Sequence, residues 1–301
     1  MTLPLVCVGN ITIDDAVFPD GTVRSACLGG DAVYAVLAAR LFEPRARMLA
    51  PVGNDLPASF AQKLESAGLV LDDLPRRDVP TIRNTITYAP NGDREWHLTT
   101  GEETFDVLST YPSDLTPELA AAEVFFIAAM SLESQFQITA HLNSETSARI
   151  YLDLQEDYIP ENREKVLEMV AASNVFLPSA EEVRRLLGTE NWEEACRVFA
   201  DLGPQTVVIK LAELGSIIFD ARSQSFARVP AFDGVSVVDS TGAGDAFGAA
   251  FAAVHSVAGD SVAAARAGSV AASYAISDFG SAGLIAASAA DAARRLTGWA
   301  A

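Results

Sequence analysis

The chain is short of positive charge. Among 301 residues, 21 Lys and Arg stand against 40 Asp and Glu, a formal net charge of −19, and the sequence pI is near 4.4. Such a surface repels nucleic acid and anionic membranes, so neither is an expected partner. Cysteine is equally scarce. Cys7, Cys27 and Cys196 are odd in number and widely spaced, which excludes a disulfide framework and fits a reducing compartment. All three read as small buried hydrophobes; Cys27, next to a Gly-Gly pair, is the one that could also line a site. The three histidines, His97, His141 and His255, are far apart and read as ordinary surface or helix positions. C-x-x-C, H-E-x-x-H and G-x-S-x-G are all absent, and no Gly-Lys dipeptide occurs, so a zinc enzyme, a serine hydrolase and a Walker A ATPase are poor fits. No apolar run reaches the ~18 residues of a membrane span. The segment "MTLPLVCVGN" lacks a basic region and a cleavage-like stretch, so it reads as a first strand, and a cytoplasmic location is expected.

Half of the residues are hydrophobic, enough for one large α/β domain or two small ones. Short apolar runs such as "LPLVCVGN", "EVFFIAA", "RIYLDLQ", "NVFLPS" and "QTVVIKL" read as buried strands. Helical patterns alternate with them near 30–42, 57–69, 133–147, 161–172, 180–188 and 192–203, and again near 261–277 and 286–297. That alternation predicts a mostly parallel sheet with helices on both faces. "SIIFDARSQSFARVPA" reads as a hairpin, and "VSVVDS", residues 235–240, as a strand. A second hairpin, "NTITYAPNGDREWHL", turns at "NGD". With the segment near 13–27 it interrupts the strand–helix rhythm, which suggests a small separate sheet. The expectation is one domain, 1–301, with lid segments near 13–27 and 84–100.

The stretch "DSTGAGDAFGAAF", residues 239–251, places a carboxylate directly after a glycine turn at the start of an apolar helix. A tight turn with a dipole-stabilised aspartate would explain part of it. A dinucleotide-binding turn is a second reading, and Asp260 lies at a suitable distance for a ribose contact. However, Phe247 occupies the position of the third glycine, and Asp260, between Gly259 and Ser261, looks like a helix cap. A third reading is an anion site, in which glycine amides and the helix N-terminus hold a negative group while the carboxylate works beside it.

The same stretch resembles the C-terminal signature of the ribokinase (PfkB) family of sugar kinases, D-[ST]-x-G-A-G-D-x-F. The resemblance runs along the whole chain in order. "CVGNITID" is similar to the family's first strand, which ends in a substrate-binding aspartate at Asp14. "LGGDAVYAVLAARL" resembles the N-terminal glycine signature, "PVGND" the V-G-x-D segment, "VFLPSAEEVRRLLG" the P-N-x-x-E segment, and "VVIKLAELGSIIF" the following strand. Departures occur at Tyr34 and Thr12, each standing for an asparagine of the family, and at Ser179, Gln155 and Asp157.

The resemblance implies a ribokinase-like α/β fold with a β-sheet lid, and ATP-dependent phosphoryl transfer to a hydroxyl. Asp245 would be the base. The amides of Gly242, Ala243 and Gly244 would form an anion hole. Asp14, Gly29, Gly30 and Tyr34 would hold the acceptor. Glu182 would hold magnesium through water, and Asp239 and Thr241 match the family's monovalent-cation loop, so K+ joins ATP and Mg2+ among the implied cofactors. Asp14, Asp31 and Asp245 near one pocket, without basic residues at 10–14 or 29–36, point to a neutral sugar or polyol; Arg24 and Arg83, in or near the lid, are the exceptions. A nucleoside or inositol kinase of the same fold is the alternative, and a silent ligand-binding relative or an NAD-dependent oxidoreductase are alternatives of another class. An exposed lid edge is a template for a second copy, so a homodimer through the lid is a further expectation.

Overall fold

The computed structural model describes residues 2–72, 74–89 and 94–299. Its strands are β1 (Val6–Val8), β2 (Thr12–Val17), β3 (Val23–Gly29), β4 (Arg47–Leu49), β5 (Ile82–Tyr88), β6 (Arg94–Leu98), β7 (Val124–Ile127), β8 (Arg149–Leu152), β9 (Val175–Phe176), β10 (Thr206–Lys210), β11 (Ser216–Asp220) and β12 (Ser225–Val229). Eight of them form one sheet in the order β12-β11-β10-β9-β8-β7-β1-β4. Pairing is parallel from β10 to β4, and β11 and β12 add an antiparallel edge. This is the ribokinase-like arrangement: a mostly parallel sheet carrying helices on both faces, with a small sheet beside it.

The central strands are short because they are buried on both faces, and side-chain alternation divides them between two cores. Cys7, Phe126 and Tyr151 face one core, while Val6, Val8, Phe125, Ile127, Ile150 and Leu152 face the other. On the first face the helices Asp31–Arg40, Ala243–Ala258 and Ser261–Ala275 pack together. Small residues allow that approach: a Cβ on Gly268 would meet the Phe247 ring at 2.8 Å.

The small sheet has the order β3-β2-β5-β6, with β2 and β5 parallel and the outer pairs antiparallel. Its strands alternate buried and less buried positions along β5, so one face only is covered. The hairpin expected near 84–100 is the β5–β6 pair; its turn residues 91–93 lie outside the described residues.

Two local expectations differ from the structure. Residues 235–240 are not a strand. Val237 is 66% exposed, and Val238 and Asp239 instead give their amides to the carbonyl of Ile276, so this segment is pinned to a loop and not to the sheet. Asp14 does not end the first strand. The chain breaks at Gly9–Asn10, and Asp14 belongs to β2 of the small sheet. The helix expected near 286–297 is Ala289–Gly298, preceded by a short helix Ala282–Ala286. Asp260 caps the helix Ser261–Ala275 by accepting from the amides of Val262 and Ala263 at 3.0 Å each. Among the described residues no helix is long and apolar enough to cross a membrane.

Candidate active site

The glycine turn sits where the helix Ala243–Ala258 begins. Gly242 is its N-cap, with φ of +74°, and no side chain caps the helix. Orphan amides therefore stand at that end, with the positive pole of the helix behind them. The amide of Ala243 makes a long 3.4 Å contact with the Ser240 carbonyl. Only glycine suits position 242: the positive φ disfavours any side chain, and a Cβ would land inside the Tyr34 ring.

Asp245 lies in the first turn of this helix, half-buried. Burial, then the neighbouring charges of Asp31 and Asp153, hold its carboxyl well above the usual carboxylate range, and Lys210 works against them. Lys210, at the end of β10, is ion-paired with Asp153, just past the end of β8. Its Nζ is 3.3 Å from where a Cβ on Gly244 would stand, so this ammonium lies directly beneath the turn. Burial opposes the Lys210 charge, but Asp153 and Glu182 outweigh that and raise its pKa.

Glu182 is turned back onto its own helix. It accepts from the amide of Ser179 at 2.6 Å while Ser179 Oγ accepts from the amide of Glu182 at 3.2 Å, a capping box. Burial and the Asp153 charge push its carboxyl up, with Lys210 opposing. Ser179 bridges to Lys210, so the Glu182 end of the site adjoins the Lys210–Asp153 pair. Among the described residues no group of three metal-binding side chains occurs; the two buried carboxylates of Glu182 and Asp153 are a fitting set for an ion that keeps most of its water and phosphate ligands.

A second group of residues meets under the small sheet. Asp14 is 3% exposed; Asn84 Nδ2 donates to its Oδ1 at 2.8 Å, while its Oδ2 has no partner among the described residues. Burial raises its pKa to about 6, against the lowering effect of Asn84. Gly29 lies against it, and a Cβ there would overlap Asp14 Oδ2. Gly30, with φ of +105°, lies so close to residues 10–12 that a Cβ would strike their backbone. The Tyr34 hydroxyl and both side-chain polar atoms of Asn10 are likewise buried and unpartnered among the described residues. Native proteins rarely leave such groups unmatched, and a cluster of them marks a place where a ligand supplies the partners.

A cavity of about 10 Å³ is lined by Asp14, Ala16, Cys27, Tyr34, Ile86, Asp239, Phe279 and Gly280. Tyr34 bridges the two groups, its ring on Gly242 and its edge in the cavity. Asp239 is 4% exposed and is held by three donors: Tyr88 Oη at 2.6 Å and the Thr241 amide at 2.8 Å on Oδ1, and the Gly280 amide at 3.2 Å on Oδ2. Arg83 is paired with Asp55 at 2.7 Å, and Arg24 lies over the Phe279 ring at 4.2 Å. Cys27 is half-buried in the cavity wall, whereas Cys7 and Cys196 are buried in the cores.

The structure thus brings Asp14, Gly29, Gly30, Tyr34, Asp239, Thr241 and the glycine turn to one end of the main sheet, with Glu182 behind them. Sequence reasoning missed Asn10, Asp153 and Lys210. Asn10 had a signal in the Gly-Asn step after β1. Asp153 and Lys210 end different strands 57 residues apart, and only the sheet pairs them.

A parallel sheet that brings an uncapped glycine turn, the half-buried Asp245 and Lys210 to one end of its strands suits the handling of a phosphoryl group. The pattern of the pfkB family carbohydrate kinases matches residues 5–287, and the chain belongs to that family. It is 29% identical over 260 residues to the cytidine kinase of Thermococcus kodakarensis, covering 84% of this chain and 89% of the relative. Among solved structures it is similar to a putative ribokinase II of E. coli in complex with ATP and Mg2+, at 17% identity and TM-score 0.80, covering 99% of this chain and all of the other. It is also similar to the nucleoside kinase of Burkholderia thailandensis in complex with inosine, at 18% identity and TM-score 0.78, covering 98% and 97%.

Proposed function

We propose that this kinase transfers the γ-phosphoryl group of ATP to a hydroxyl of a small neutral sugar or polyol. The observation that carries the reading is the make-up of the cavity: among the described residues, two carboxylates and a tyrosine line it, and no Lys or Arg does. Such walls accept hydrogen bonds from hydroxyls and repel a phosphorylated acceptor, which needs clustered cations. Arg83 is spent on Asp55, and Arg24 on the ring of Phe279.

Asp245 serves as the base, because its raised proton affinity moves it toward the working pH range. The amides of Gly242, Ala243 and Gly244 receive the charge that builds on the transferring group, and Lys210 adds a fixed cation beneath them. Asp14 and Tyr34 orient the acceptor between them. Glu182 and Asp153 are the residues that would hold magnesium, which when bound neutralises phosphate charge. A monovalent ion at Asp239 would share a carboxylate that already accepts from three donors. The cavity has room for about one water, so the small sheet acts as a lid that opens to admit the acceptor and closes to exclude water. Its edge strand β3 is exposed from Val23 to Ala26 and is where a second copy would pair; light scattering reads that.

A second reading, a nucleoside acceptor, is favoured by the stacked rings of Phe18 and Tyr88, 5.2 Å apart beside Phe279, which offer a base an aromatic wall. It is also favoured by the similarity to a cytidine kinase. An ADP-release screen over cytidine, other nucleosides, ribose, fructose, inositol and fructose 6-phosphate tests both. Neutral acceptors are expected to win at low and moderate salt. A preference for phosphorylated acceptors that disappears in Arg24→Ala or Arg83→Ala would overturn the proposal.

A further inference from the structure

One carboxylate joins three parts of the molecule that must cooperate in transfer. Asp239 holds the Thr241 amide, immediately before Gly242 of the turn. It holds the Gly280 amide of the loop that follows the helix Ser261–Ala275. It also accepts from Tyr88 Oη, at the end of β5 in the small sheet. Apolar contacts run alongside: the Tyr88 ring stacks on Phe18 with an interplanar angle of 14°, and Phe18 meets Phe279 edge-on at 5.0 Å. β2 and β5 are parallel neighbours, with Val17 opposite Thr87, so Phe18 and Tyr88 leave the sheet at the same end. The rings alone would seat the small sheet on the loop. They have no directional link to the turn, whereas an O–H bond to a buried carboxylate has one and is stronger than a neutral bond.

We propose that Tyr88 is a positioning residue that couples closure of the small sheet over the acceptor to the geometry of the phosphoryl-binding turn, through Asp239. When the sheet is seated, Tyr88 fixes the rotamer of Asp239, and Asp239 fixes the amide ahead of Gly242. When the sheet lifts, Oδ1 loses the Tyr88 donor and the turn loosens. Transfer is thereby favoured only with the pocket shut, when water is excluded. The proposal rests on the reading of the turn and Asp245 as the place of transfer.

Tyr88→Phe tests it, because phenylalanine keeps the ring and its stack on Phe18. Loss of one hydrogen bond to a charged group is expected to lower kcat about tenfold while acceptor KM changes less than threefold. In an Asp239→Ala background, which removes the acceptor, the same substitution should change kcat less than twofold, since the two residues act as one link. Amide hydrogen exchange, measured without any acceptor, should quicken together in β2, β3, β5, β6 and residues 239–242, with the central strands unchanged. That readout is independent of the base: it stands even if Asp245→Asn proves active, which would sink the site reading alone. A Tyr88→Phe enzyme with kcat within twofold of the parent and unaltered exchange would overturn the proposal, as would losses from Tyr88→Phe and Asp239→Ala that simply multiply.

Discussion

Replacing Asp14 by asparagine should make the protein more stable and less active, and the size of the gain follows from the structure. Asp14 is 3% exposed, and burial raises its pKa from 3.8 to about 6 despite the bond from Asn84. The folded state therefore binds a proton more tightly than the unfolded chain does. Stability falls as pH rises through that interval, and above pH 6 the ionised carboxylate costs about 3 kcal/mol. Asparagine keeps an oxygen for Asn84 and carries no charge, so it recovers most of that cost at pH 7.5 and none of it near pH 3.5. With an unfolding entropy of about 2 cal/mol/K per residue, the gain at pH 7.5 corresponds to a rise in Tm of roughly 5 °C. Calorimetry of both proteins from pH 4 to 8 is the assay, paired with acceptor kinetics. On the proposal that Asp14 orients the acceptor through its unpartnered Oδ2, the variant should lose at least tenfold in kcat/KM. A Tm difference that is flat across this pH range, or a variant less stable than the parent at pH 7.5, would refute the account of Asp14 as a charge buried for function.

Two further outcomes follow from the same site. Asp245→Asn should lower kcat by about 10²–10⁴ with ATP binding retained, read by titration calorimetry. In the parent, the acid limb of the rate profile should lie well above pH 4, because the base must be deprotonated and its pKa is raised. Lys210→Met should move that limb to higher pH, since Lys210 is the charge that opposes the rise. It should also destabilise the fold by about 3–5 kcal/mol by leaving Asp153 buried without its partner, measured by denaturant unfolding.

What the amino-acid sequence determines by itself is the local chemistry. Short continuous apolar runs such as "VFFI" read as strands covered on both faces, and their alternation with helical patterns predicts a mostly parallel sheet. The Gly-Ala-Gly-Asp run before an apolar helical stretch reads as a tight turn that delivers an aspartate to a helix N-terminus. The resemblance to the ribokinase (PfkB) family, motif by motif along the chain, made Asp14, Gly29, Gly30, Tyr34, Asp239 and Asp245 legible as a set.

Tertiary structure decided what surrounds them. The segment 235–240 carries the alternation of a strand, yet the amides of Val238 and Asp239 go to the carbonyl of Ile276 and not to the sheet. Glu182 is legible only as a magnesium residue implied by the family resemblance, and packing decides that it is buried beside Lys210 and Asp153. Tyr88 looks like an ordinary strand aromatic, and its hydroxyl finds a carboxylate 151 residues away. The physical reason is common to all of these. Backbone conformation is set by neighbours along the chain, whereas desolvation, charge pairing and hydrogen bonding depend on which strand ends and loops the sheet order brings within a few ångströms.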